Sequence, residues 1–477
     1  MALQGSRRGR DRCTLKTGPL HTKEMMSESF RVERDTMGEM RVPADALYGA
    51  QTARALENFP VSGLRFPRAF IRALGLIKSA AARVNGRLGE LPPERAAAIE
   101  AAAEQVTAGE CDAQFAVDIF QTGSGTSTNM NANEVIARLA GSHPNDDVNR
   151  GQSSNDVIPT ALHVAAAQEI HGRLLPSLLR LERSLECKAA EFAPMIKIGR
   201  THLQDAVPMR LGQEFGGYAR QVAASRERIE AVLPGIYELA LGGTAVGTGL
   251  NAPRGFAAAV IREIAERTGL PFVEARNHFE AQAARDAVAF LSGALRNCAI
   301  SLTKIANDVR WLGSGPRCGI GEIRLPAVQP GSSIMPGKTN PVIAESLLMV
   351  CAQVMGHDAA IAWCAASGNF ELNTMMPLMA YDLLDSIALL AAGTANFAGK
   401  LVDGLEADAA RAGAFVEQSL AIATALVPEI GYEKAAALAK EAYRTGQTIR
   451  EVAVAKSGIP EQRLKELLDP ESQASPD

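Results

Sequence analysis

Val288, Leu291, Leu295, Cys298, Leu302, Ile305, Val309 and Leu312 recur at steps of three and four, and this spacing restricts the available folds more than any other feature. Such steps return to one side of an α-helix, so the eight side chains form an apolar seam along a single long helix. A seam of that length is stable only when other helices with matching stripes cover it. Similar stripes lie at 160–190 and 211–240, and further helical stretches at 341–366 and 377–399. Residues 69–87 and 94–107 read as two more helices, the second started by Pro92-Pro93, because proline is pre-set for the first helical turn. The expectation is a mainly α protein built on a long central helix bundle. At 477 residues, 47% of them hydrophobic, the chain exceeds one ordinary core and calls for more than one domain.

Charge narrows the partners. With 49 basic against 53 acidic residues and a net charge of -4, the chain has no broad attraction for nucleic acid or an anionic membrane, which leaves small molecules as the expected ligands. The seven cysteines (Cys13, Cys111, Cys187, Cys298, Cys318, Cys351, Cys364) are scattered and form no Cys-x-x-Cys pair. That pattern argues against a disulfide framework or zinc cluster and favours a reducing cytoplasm. Residues 1–29 contain Arg7, Arg8, Arg10 and Arg12 without an apolar run or an apolar helical face, so they read as a disordered extension rather than a secretory or organellar leader. No stretch is expected to approach the length needed to cross a bilayer.

Between the helices lie polar loops that concentrate chemistry. Gly331-Ser332-Ser333-Ile334-Met335-Pro336-Gly337-Lys338-Thr339-Asn340-Pro341 joins two helical regions and brings two hydroxyls, an ammonium and an amide together, with glycines that permit motion and prolines that limit it. Composition alone favours an ordinary linker. Gln121-Thr122-Gly123-Ser124-Gly125-Thr126 runs into a helix, where hydroxyls and free amides suit an anion and equally suit a capped turn. Ser153-Ser154-Asn155-Asp156 also reads as a helix start. In Gly199-Arg200-Thr201-His202-Leu203-Gln204-Asp205, His202 is flanked by hydroxyl, amide and carboxylate groups, and histidine is the side chain best placed to trade protons near neutral pH. Leu241-Gly242-Gly243-Thr244-Ala245-Val246-Gly247 lacks the Gly-Lys-Ser/Thr of a phosphate loop and is no nucleotide motif.

Taken together, these strings resemble the fumarase/aspartase superfamily, from about Phe30 into the C-terminal region. The loop at 331–341 is similar to its signature loop, and Gly337-Lys338 to the class II fumarase version, where aspartases carry alanine before the lysine. Thr339 stands where most members have valine, a side chain expected to pack behind the ligand contacts. His202 likewise favours fumarase, since aspartases have glutamine there. Val207-Pro208-Met209 and Gln213-Glu214-Phe215 look aspartase-like and keep aspartate ammonia-lyase, or another fumarate-releasing lyase, as the rival. An inactive structural relative is the non-enzyme alternative.

The resemblance implies a three-domain lyase fold: an N-terminal domain at 30–152, the helical bundle at 153–409 and a small helical domain at 410–477. It also implies a homotetramer with a many-helix core, the 288–312 seam buried between subunits as well as within one, and active sites built from three chains. The activity implied is reversible hydration of fumarate to L-malate, a tricarboxylic acid cycle step, without metal or organic cofactor. Ser332 would be the base at carbon, with His202 moving the proton of the leaving water and Glu345 holding its ring. Ser124, Gly125, Thr126, Ser153, Ser154, Asn155, Thr201, Ser333, Lys338, Thr339 and Asn340 would contact substrate. His143, Pro144, Asn145 and Asp146 match a secondary carboxylate site, although the connection before them is short and ends in Gly141-Ser142 where the family has a basic residue.

Overall fold

The seam is used up inside one chain. In the computed structural model, which describes residues 29–474, Val288 to Leu312 lie on α10 (Asp286–Leu312), and none of the eight seam side chains is more than 4% exposed. Their cover comes from α6 (Leu175–Glu191), α7 (Leu211–Ile236), α11 (Val342–Ala365) and α12 (Met376–Lys400). Each of these helices packs on the next, α6 on α7, α7 on α10, α10 on α11, α11 on α12 and α12 on α6, so the five close a ring around one apolar core. The expectation that the same seam also faces other subunits is therefore corrected: a face already filled by its own chain has no area left for another copy. What remains bare lies on the opposite side, where Phe290 and Ile300 of α10 and Met349 and Trp363 of α11 are at least half exposed.

The N-terminal part precedes the ring. A hairpin of β1 (Phe30–Asp35) and β2 (Gly38–Pro43) is followed by α1 (Ala50–Asn58), α2 (Arg68–Arg87), α3 (Pro93–Ala108) and α4 (Thr126–Ala140). Proline opens α3 as expected, and Gly109 closes it with a left-handed residue. The stripe at 160–190 is not one helix: α5 (Ser154–Glu169) ends in a π-helical turn at Ile170–Leu174 before α6 begins. Ser153 starts α5 through a capping box with Asp156. A two-stranded hairpin, β3 (Ile196–Thr201) with β4 (Gln204–Arg210), projects between α6 and α7.

Short helices from Ala409 onward enclose a separate apolar core that includes Val416, Leu426, Leu438, Ile449, Val452 and Leu464, together with Ile198 of β3. The expected disorder of the first residues falls, up to residue 28, outside the described chain. A second expectation is corrected. By length and composition, α11 and residues 376–404 are apolar enough to cross a bilayer. Both are members of the closed ring: residues 376–404 are largely buried in it, while α11 turns one apolar side to α10 and α12 and leaves another bare.

Candidate active site

Two of the sequence motifs meet. The loop before α4 turns through Gly125, which is left-handed at φ 73° and whose Cβ, were there one, would lie 2.8 Å from Ile158 on the first turns of α5. Gly123 lies so close to the chain before α12 that a Cβ would sit 1.7 Å from the Thr374 carbonyl oxygen, so no other residue fits. Ser124 and Thr126 share a 2.8 Å hydroxyl contact. Beside them the α5 start is fixed by Asp156, which accepts from the Ser153, Gly242 and Thr244 amides at 2.9, 3.0 and 2.8 Å. Asn129 donates to the Ser154 hydroxyl at 3.3 Å, and Asn155 to the Ala245 carbonyl at 2.8 Å. Ser124, Gly125, Thr126, Ser153, Ser154 and Asn155 thus form one polar shelf where α4 and α5 begin.

Thr201 and His202 sit elsewhere, at the exposed tip of the β3–β4 hairpin. The two-residue turn holds His202 at φ 56° and Leu203 at φ 59°, both left-handed. This is the twist that tight hairpins demand, imposed here without glycine. The hairpin's base is anchored by Arg200, which donates to both Glu322 oxygens at 3.0 and 2.8 Å, and by the buried Lys197, 2.7 Å from Glu214.

The third group is the loop at 331–341. Asn340 donates to the Gly331 carbonyl at 2.6 Å and the Gly331 amide to the Lys338 carbonyl at 2.8 Å, which ties the two ends of the loop together. Inside it, the Ser332 hydroxyl oxygen accepts from the Ile334 and Met335 amides at 3.2 and 2.9 Å. Lys338 reaches the Asn340 side-chain oxygen at 2.6 Å. A cavity of about 700 Å³ beneath the loop is lined by Lys338, Thr339, Asn340 and Glu345 together with Arg310 and Trp311. Thr339 is exposed on this wall. Its position beside the charged Lys338 is open to water. Ser333 is also exposed.

No hydrogen bond or ion pair among the described residues links the shelf, the hairpin tip and the loop, and Glu345 makes none to His202 within the chain. The segment from His143 to Asp146 is more compact. His143 accepts the Asp146 amide at 3.0 Å on its Nδ1, and Pro144 to Val148 form a π-helical turn. Asn145 and Asp146 line a second cavity of about 700 Å³ with Ser153, Asn251 and Arg150, the last held by Glu90 at 2.7 Å. Sequence reasoning missed the groups beneath the shelf: Lys78, Asn149, Gln152 and Asp156. Nothing in the string marks them, since a lysine in a helix reads as solvated and asparagine before a helix reads as a cap.

A ring of long helices with polar loops at the helix starts defines a helical lyase scaffold, and the comparisons agree. Residues 38–356 match the family model described as Lyase, and residues 422–472 that described as Fumarase C C-terminus. The chain is 54% identical over 449 residues to the fumarate hydratase class II of Mycobacterium tuberculosis, covering 93% of this chain and 95% of that one. It is also 54% identical over 441 residues to the protein of that name from Thermosynechococcus vestitus, covering 90% and 94%. The crystal structure of recombinant class II fumarase from Schistosoma mansoni superposes with a TM-score of 0.91 at 41% identity, over 94% of this chain and 99% of that one. The chain belongs to the class II fumarate hydratases of the fumarase/aspartase lyases.

Proposed function

We propose that this chain interconverts fumarate and L-malate at sites assembled from three chains of a homotetramer. The observation that carries the assembly is that three intact motifs lie within a single chain with no hydrogen bond or ion pair among the described residues to join them. An exposed apolar face on α10 and α11 supplies the surface for association. The shelf of Ser124, Thr126, Ser153, Ser154 and Asn155, with Lys338, Asn340 and Thr201, binds the two carboxylates. His143 to Asp146 form a secondary carboxylate site.

In the direction from malate to fumarate the hard step is removal of a proton from the carbon next to a carboxylate. Ser332 is the base in this reading. A serine hydroxyl is ordinarily far too weak, but here two backbone amides already point at its oxygen, and such donors favour the alkoxide over the alcohol. Closure of the loop over substrate removes water and strengthens both. The negative charge spreads onto the substrate carboxylate, where Lys338 and Asn340 offset it. His202 hands a proton to the departing hydroxyl, and Glu345 of another chain orients its ring. The six described cysteines are free thiols, which supports a reducing cytoplasm. The same reading divides the chain at 30–152, 153–409 and 410–477, with the second apolar core in support of the last part.

The test follows the ultraviolet absorbance of fumarate with malate, then aspartate, as substrate. The expected result is turnover of malate without ammonia, and a fall in kcat of about a hundredfold or more in Ser332→Ala. Release of fumarate from aspartate with none from malate would overturn the hydratase reading. Near-normal turnover in Ser332→Ala would remove Ser332 from the role of base.

A further inference from the structure

We infer that Lys78, wholly buried on α2, is a positioning residue that sets the Ser153–Asn155 turn for substrate through Asn149 and Gln152. The inference rests on the reading of that turn as a substrate contact.

The Lys78 ammonium donates to the Asn149 side-chain oxygen at 3.1 Å and to the Gln152 side-chain oxygen at 2.9 Å. The NH2 groups of both amides are spent within the turn, Asn149 on the Gln152 carbonyl and Gln152 on the Val148 and Arg150 carbonyls. Only the oxygens face Lys78. Because an ammonium has donors and no acceptor, it allows each amide one orientation, the one in which the turn's own bonds are made. The same Asn149 oxygen also accepts from Asn129 and Asn133 of α4, at 3.2 and 3.1 Å. Asn129 is the residue that reaches the Ser154 hydroxyl. One cation therefore ties α2, α4 and the turn that presents Ser153, Ser154 and Asn155.

The surroundings make this a costly choice of residue. The neighbouring buried positions of α2 include Leu74, Ile77 and Ala81, and an apolar side chain at 78 would fill the same space. Burial instead pulls the Lys78 ammonium down to about 7, and the opposing Asp156 carboxyl is pushed up to about 6 by its own burial. A buried charge seldom adds stability over a packed apolar side chain, so the presence of Lys78 under this turn points to geometry as its role.

The full-length protein tests this with Lys78→Met, read by kcat and KM for malate, by the inhibition constant of succinate as an unreactive dicarboxylate, and by thermal melting. The expected result is a rise of about tenfold in KM and in the succinate constant, a change in kcat within about threefold, and melting unchanged or raised. Lower melting with unchanged constants in the folded protein would mean a lysine that serves only the core, and would overturn the inference. Should Lys78→Met fail to fold, Lys78→Gln removes the cation, brings an acceptor beside the donor, and leaves the turn's own bonds in place. A rise in the succinate constant there sustains the inference and no rise overturns it. Asn155→Ala separates the two levels of argument. An unchanged succinate constant in Asn155→Ala overturns the substrate-contact reading and the Lys78 role with it. A raised constant there, with none in Lys78→Met, overturns the Lys78 role alone.

Discussion

His202 combines chemistry with an unusual backbone. Held left-handed at φ 56° beside a left-handed Leu203, it sits on the tight two-residue turn of a hairpin, a conformation most residues other than glycine resist. His163 shows the opposite use of the same side chain. It lies on α5 against the Glu238 carbonyl at 2.9 Å, and burial, with Arg285 nearby, pulls it down to about 4. The native protein thus holds His163 neutral where the unfolded chain, titrating near 6.5, takes up a proton. Between those values the unfolded state binds more protons, so stability rises with pH from about 4 to 6.5 and is lost as pH falls through that window. In His163→Gln, which keeps a donor for the carbonyl, urea midpoints measured from pH 7 to pH 4 are expected to fall less steeply. The difference should reach at most about 3 kcal/mol.

The elements were the most legible level of the sequence. All eight seam residues of α10 are buried, because a repeat of three and four has one geometric solution and the chain is long enough to cover it. Leu302→Ala is expected to cost about 3 kcal/mol, checked by the denaturant midpoint, since the cavity opens inside a ring that resists collapse. The break at Ile170–Leu174 was not legible: a single π turn shifts the register without disturbing the apolar stripe on either side. The chemistry of the loops was legible only through resemblance. Ser332 looked like any linker serine, and what sets it apart is a pair of backbone amides, which no side-chain pattern encodes. Lys78 and Asp156 were hidden for a related reason, since burial of a charged residue depends on which helices arrive from elsewhere in the chain.

At the scale of the molecule, the ring of α6, α7, α10, α11 and α12 turns its seams inward and leaves its outer helices with large apolar side chains in water, among them Trp363 at 79% and Met349 at 68% exposure. That arrangement separates two kinds of damage. On the proposed assembly, a lesion in the seam is expected to destabilise the chain itself, whereas a lesion on the outer face is expected to leave a folded chain without neighbours.

The hairpin that carries His202 and the loop that carries Ser332 have no bond between them in one chain, and this gives the protein a property usually discussed for genes. On the proposed roles of the two residues, an allele encoding His202→Asn and one encoding Ser332→Ala are each expected to yield an inactive enzyme. Co-expression in one cell mixes the chains, and wherever a hairpin from one allele meets a loop from the other a site with both intact residues reappears. Random mixing in equal amounts restores about a quarter of the sites. Activity of that order in the purified mixture, absent from either parent, is the expected outcome, and no recovery would place both residues of each site on one polypeptide. Dominance follows the same arithmetic: a chain with one defect carries one bad hairpin or one bad loop and spoils one site, so an equal mixture with intact chains keeps about half of its sites.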